Sequence, residues 1–111
     1  MIVRKHTDIE ALEVEAEGAV GVRKRVLISA EDGAPNFIMR MFSIAPQGQT
    51  PYHSHDWEHE LYVLSGNGAA CQGNEEHELR SGSVVLVEPG EEHNFRNTGD
   101  QPLVFLCLIP L

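Results

Sequence analysis

Residues 51–66 read PYHSHDWEHELYVLSG, and three of the first nine positions are histidines: His53, His55 and His59. On a strand, residues two apart project to the same side about 6.7 Å from each other, close enough for two imidazoles to converge on one ion. His53 and His55 meet that condition. His59 does not on a straight strand, where its Cα would lie on the order of 20 Å from that of His53. The chain is therefore expected to turn near Asp56-Trp57-Glu58 and return with His59 beside the pair.

A second histidine of the same kind stands far downstream, His93 in VEPGEEHNF (residues 87–95), after the turn formers Pro89-Gly90. Only a closed sheet brings it against the first three, and the rest of the chain reads as one. Short apolar runs recur between Gly, Pro and Asn, the pattern of many short strands. We expect strands over Val22–Ser29, Phe37–Ile44, Leu61–Leu64, Ala69–Gln72, His77–Arg80, Val84–Val87, His93–Arg96 and Leu103–Ile109. Turn formers at Glu31-Asp32-Gly33, Pro46-Gln47-Gly48, Ser65-Gly66-Asn67-Gly68, Gly73-Asn74, Ser81-Gly82 and Gly99-Asp100 separate them. The fold class is all-β, a jelly roll or small barrel. Asp8–Ala16 is the one weak helix candidate. His6 and His77 sit among polar residues and read as solvated.

The 111 residues suffice for one core and not two, so we expect a single domain: a barrel over residues 21–111, preceded by a segment, 1–20, that packs on a dimer partner. Seventeen acidic residues against eight Lys plus Arg give a net charge of -9, which repels nucleic-acid phosphates and anionic lipid. No secretory signal or transmembrane run is evident, and the expected location is the cytoplasm. Cys71 and Cys107 lack CxxC spacing and read as reduced, buried thiols.

These residues resemble the cupin family. Its second motif is matched by Gly82, Gly90, His93 and Asn97, with Glu88 where proline is expected and Pro89 following. Its first motif is matched by the His53-x-His55 pair and the closing Gly66, while Gly48 lies one residue nearer to His53 than the pattern asks. Counting back from Gly66 puts the motif's glutamate ligand at His59, whereas counting forward from His55 allows Glu60. His59 is taken as ligand and Glu60 as the alternative. The wider string from NFIMRMFSIAP to FLCLIP is similar to the small four-histidine manganese monocupins. That resemblance implies a double-stranded β-helix, a homodimer, and an octahedral metal on His53, His55, His59 and His93 with two adjacent open positions.

Four neutral imidazoles leave the full 2+ charge on the ion and suit one divalent transition metal per chain, Mn first, then Fe, Zn, Ni or Cu. The second ring nitrogens need orienting partners, for which Asp56, Glu58, Glu60, Asn97 and backbone carbonyls are candidates. Alternation puts Phe105, Cys107 and Ile109 on one face of the last strand, so Phe105 and Cys107 are pocket candidates or plain core. Trp57 shields the pocket or anchors the turn, and Arg40 binds a substrate carboxylate or pairs with an acid. The functions these residues suit are a Mn- or Fe-dependent oxygenase on a small, partly apolar acid, or a small-molecule binding or sensing module without catalysis. A purely structural metal ranks last, because structural sites are normally closed. Strand exchange by Val22–Leu27 is the expected route to a dimer.

Overall fold

The computed structural model describes residues 1–111 and contains nine strands: β1 (Leu12–Glu13), β2 (Val20–Ile28), β3 (Phe37–Gln49), β4 (His59–Ser65), β5 (Gly68–Gln72), β6 (Glu75–Leu79), β7 (Val84–Val87), β8 (Asn94–Asn97) and β9 (Leu103–Pro110). They pair antiparallel in the order β6-β5-β8-β3-β9-β4-β7, with β2 also on β3 and β1 on β2. Each expected strand is present with its ends moved by a few residues. The architecture is the all-β single barrel that the turn spacing implied.

β3 links the two halves of the barrel. Its first part pairs with β2 and β9, and its last residue, Gln49, pairs with Arg96 of β8. The strand thus passes from one sheet to the other, and Pro46-Gln47-Gly48, expected as a turn, lies inside it as an irregularity. Gln47 takes φ 68, and the register on β2 jumps from Val22↔Ile44 to Val20↔Gln49. Gly48 is required there, since a Cβ would stand 2.4 Å from the Val20 carbonyl oxygen. Gly66 is fixed for a similar reason: it takes φ 90, and a Cβ would stand 2.4 Å from the Pro102 carbonyl oxygen.

The N-terminal segment also departs from expectation. Asp8–Ala16 is not helical; a 3₁₀ turn covers His6–Asp8, and Leu12 and Glu13 pair with Lys24 and Arg23 of β2. Its apolar residues are too interrupted to form a helix face, so sheet pairing wins. Within the chain the segment also touches the barrel: Arg4 pairs with Asp32, Arg25 donates to the His6 and Ile9 carbonyls, and Val14 and Ala19 rest against the core. β2 therefore lies between β1 and β3, so that Arg23 and Lys24 are not at a free edge.

Inward residues stack in layers set by the register. Ile44 pairs with Leu103, and Phe105 pairs with Phe42 on one side and Val63 on the other. Ile44, Val63 and Leu103 are wholly buried. Leu103→Ala is expected to cost about 2–5 kcal/mol, a large part of the roughly 5–15 kcal/mol that such a domain has, readable as a lowered urea midpoint. Cys71 and Cys107 are free and buried, as expected. His77 is exposed and 3.4 Å from exposed Glu75, a surface contact of little weight.

Candidate metal centre

Two backbone ties bring the histidine segments together. His53 and His93 form an antiparallel bridge, each N–H donating to the other's carbonyl at 3.1 and 2.9 Å, and Gly90 N–H donates to the His55 carbonyl at 2.8 Å. The chain then bends at Asp56–Trp57 and enters β4 at His59, which pairs with Val87. The turn inferred from spacing is present. His53, His55 and His93 offer ring nitrogens that all lie within 4.8 Å of one another. His59 joins them, its Nε2 2.9 Å from His93 Nε2 and its ring centroid 4.8 Å from that of His55.

The outer ring nitrogens decide what the inner ones can do. His55 Nδ1 donates to the Trp57 carbonyl and His93 Nδ1 to the Glu91 carbonyl, each at 2.8 Å. A neutral imidazole that donates from Nδ1 carries its lone pair on Nε2. Two nitrogens about 2.1 Å from one ion and at right angles to each other stand about 3.0 Å apart, the separation that His59 and His93 adopt. An all-nitrogen set of this geometry fits a divalent transition metal.

Burial prepares the rings to be neutral. It pushes His59 down to about 3, with further lowering from His93, His55, Arg40 and His53. His53 and His93 are lowered too, by burial first. In the metal-free chain this sets a pH dependence. Between the ordinary value of 6.5 and about 3 the unfolded state binds the proton that folded His59 refuses, so stability falls as pH drops through that window and is unaffected by His59 above it. Thermal melts of metal-free protein from pH 7.5 to 4.5 are expected to show a steeper decline for the wild type than for His59→Gln; parallel declines would contradict this assignment.

Glu60 is exposed on the outward face of β4, while His59, Leu61 and Val63 are buried on the inward face. The alternative ligand is thus turned away from the rings by strand alternation. Asp56 and Glu58 are exposed. Asn97 is buried elsewhere, donating to the Ile44 and Gln101 carbonyls and accepting from Gly99 N–H, so it braces a turn. Backbone carbonyls, together with Cys107, take the role proposed for these side chains: Cys107 Sγ lies 3.2 Å from His59 Nδ1, and burial raises its thiol pKa.

A cavity of about 450 Å³ opens beside the rings. All four residues expected in a pocket line it: Arg40, Trp57, Phe105 and Cys107. Trp57 stacks on His55 with centroids 4.5 Å apart and planes 7° from parallel. It both anchors the turn and walls the site. Sequence reasoning missed Lys24, Tyr52 and the N-terminal Val14, Ala16 and Glu17 on the same lining. The position of Lys24 two residues from buried Val22 on β2 was the available signal.

A nine-strand barrel with histidines from two such segments at one end is the cupin arrangement, and the cupin domain family matches residues 40–109. The chain belongs to the cupin family. It is similar along 99% of its length to the polyketide cyclase RemF from Streptomyces resistomycificus, with TM-score 0.93, 35% identity and 79% of that chain covered. It is also 32% identical over 69 residues to the oxalate-binding protein of Thermotoga maritima, covering 61% of this chain and 57% of that one. A 26% identity over 104 residues relates it to the 1-methylthio-D-xylulose 5-phosphate methylsulfurylase of Rhodospirillum rubrum, 91% of this chain and 65% of that protein. No helix is long and apolar enough to cross a membrane.

Proposed function

We propose that the chain is a metal-dependent cupin enzyme in which His53, His55, His59 and His93 hold one divalent transition metal, Mn first, then Fe, Zn, Ni or Cu, and a small organic substrate occupies the adjoining cavity. The observation that carries the reading is the 2.9 Å approach of His59 Nε2 to His93 Nε2, with the Nδ1 of His93 and of His55 committed to carbonyls. Held by four neutral ligands, the ion keeps its full 2+ charge and supplies Lewis-acid activation of a bound carbonyl or carboxylate, and with Mn or Fe also oxygen chemistry. The residues do the rest. The carbonyls of Trp57 and Glu91 fix two of the rings, Trp57 covers the His55 side, and Phe42, Phe95 and Phe105 give the substrate an apolar wall.

Of the two chemistries we favour the redox-neutral one, supported by the likeness to a polyketide cyclase along 99% of the chain. An oxygenase is the second reading, supported by the neutral ligand set and by the expected room for two adjacent ligands. Protein loaded separately with Zn, Mn and Fe distinguishes them on a panel of aromatic and poly-β-carbonyl acids. Turnover by the Zn form without oxygen uptake, giving an isomer or dehydrated product, supports the first. Oxygen consumption by the Mn or Fe form alone supports the second, and binding without turnover of any panel member would overturn the enzyme reading in favour of a binding module.

We further propose a homodimer, through the outer face of the sheet. One row across it runs Arg25, Met41, Leu106, Tyr62, Val84 by register, and the next brings Met39 beside Leu108. Tyr62, Leu64, Val84 and Leu86 are exposed on this face, around the exposed Glu60 that lies between Leu108 and Leu86 by register, and a group of exposed apolar side chains on one sheet face marks an interaction surface.

A further inference from the structure

Resting on the metal-enzyme reading, we propose that the substrate is an aromatic carboxylate whose carboxylate group is bound by Arg40 with Lys24. Arg40 lies on β3 opposite Cys107 of β9, and its guanidinium donates to Cys107 Sγ at 3.0 Å. Cys107 in turn contacts His59 at 3.2 Å, so the cation stands two contacts behind a ring of the metal centre. The guanidinium also lies 5.0 Å over the Phe42 ring. What it lacks is an anion. The ion pairs of the molecule are Arg4–Asp32, His77–Glu75, Arg80–Glu78 and Arg96–Glu76, and Arg40 is in none of them. Its Nε is buried with no hydrogen-bond partner. A half-buried arginine whose Nε is wholly buried and has no counter-ion is unfavourable by itself and is normally paired.

Lys24 reinforces the same sign. It faces Phe42 across the β2–β3 register, lines the same cavity and is likewise in no ion pair. Against these two cations the lining offers a single carboxylate, Glu17. The cavity wall is therefore net positive in a chain of net charge -9, and a divalent ion on the histidines would add to it. A field of this sign, confined in a low-dielectric cleft, selects an anion. A planar carboxylate matches the guanidinium fork. The aromatic class follows from the remaining lining, where Phe42, Phe95, Phe105, Tyr52 and Trp57 present rings to the same space.

The test is isothermal titration calorimetry of 2-naphthoate against its neutral isostere 2-naphthamide, on wild type, Arg40→Gln, Arg40→Lys and Lys24→Gln, each in metal-free and Zn-loaded form with metal content measured alongside. Wild type is expected to bind the acid about tenfold or more tightly than the amide, in both forms. Arg40→Gln is expected to remove most of that preference, Arg40→Lys to retain more of it, and Lys24→Gln to reduce it less. Equal affinities for acid and amide in the wild type, no measurable binding of either, or an unchanged preference in folded Arg40→Gln would each overturn the proposal. Failure to take up zinc with the acid preference intact would instead count against the metal reading alone.

Discussion

His59→Ala is expected to lower metal affinity by about a hundredfold or more, whereas Glu60→Ala leaves it within about twofold. The two residues are neighbours in sequence and differ in everything that matters to a ligand. His59 is buried on the inward face of β4 with its Nε2 2.9 Å from that of His93, and Glu60 is exposed on the outward face. The ring is also neutral by construction, since burial holds it well below the ordinary histidine value, so no proton need be displaced near neutral pH. Elemental analysis after dialysis against a competing chelator reads both variants, with circular dichroism to confirm folding. Retention of metal by His59→Ala and its loss from Glu60→Ala would make the site a three-histidine, one-glutamate centre and would require β4 to flip its register by one residue.

Leu106→Glu is expected to convert the proposed dimer into a 12.3 kDa monomer while leaving the fold and metal content intact. Leu106 lies on β9 between Met41 and Tyr62, at the centre of the apolar row on the outer sheet face. Its neighbours Phe105 and Cys107 point the other way, into the core, so a charge at half-buried Leu106 falls on the outer face of the sheet and leaves the inward layers untouched. In the paired state that charge would be buried without a partner, a cost large enough to dissociate a modest interface. Light scattering coupled to size exclusion gives the mass directly. A monomeric wild type, or a variant that still dimerises, would overturn this choice of interface.

Much of the site was legible in the sequence because metal ligation forces residue types into tight spacing. The HxH pair and the histidine after Pro89-Gly90 need a closed sheet to meet, and the structure joins them by the His53–His93 bridge. The His59 or Glu60 ambiguity arose because motif gaps are counted in residues, whereas strand alternation, which separates the two, depends on where β4 begins. The bend in β3 was read as a turn, since Pro46-Gln47-Gly48 has turn composition and nothing local shows that pairing resumes at Gln49. The N-terminal wall of the cavity was hidden for a different reason: β1 is two residues long and has no periodicity to detect. Lys24 was overlooked because charge on a strand ordinarily signals a solvated face.

Binding of one divalent ion by His53, His55, His59 and His93 underlies the whole of the proposed activity. The most direct test is elemental analysis of metal-free protein reloaded separately with Mn, Fe, Zn, Ni and Cu and freed of excess metal. One equivalent per chain with at least one of these ions, lost together in His53→Ala, His55→Ala, His59→Ala and His93→Ala, is the result expected. No retained metal under any loading would contradict it.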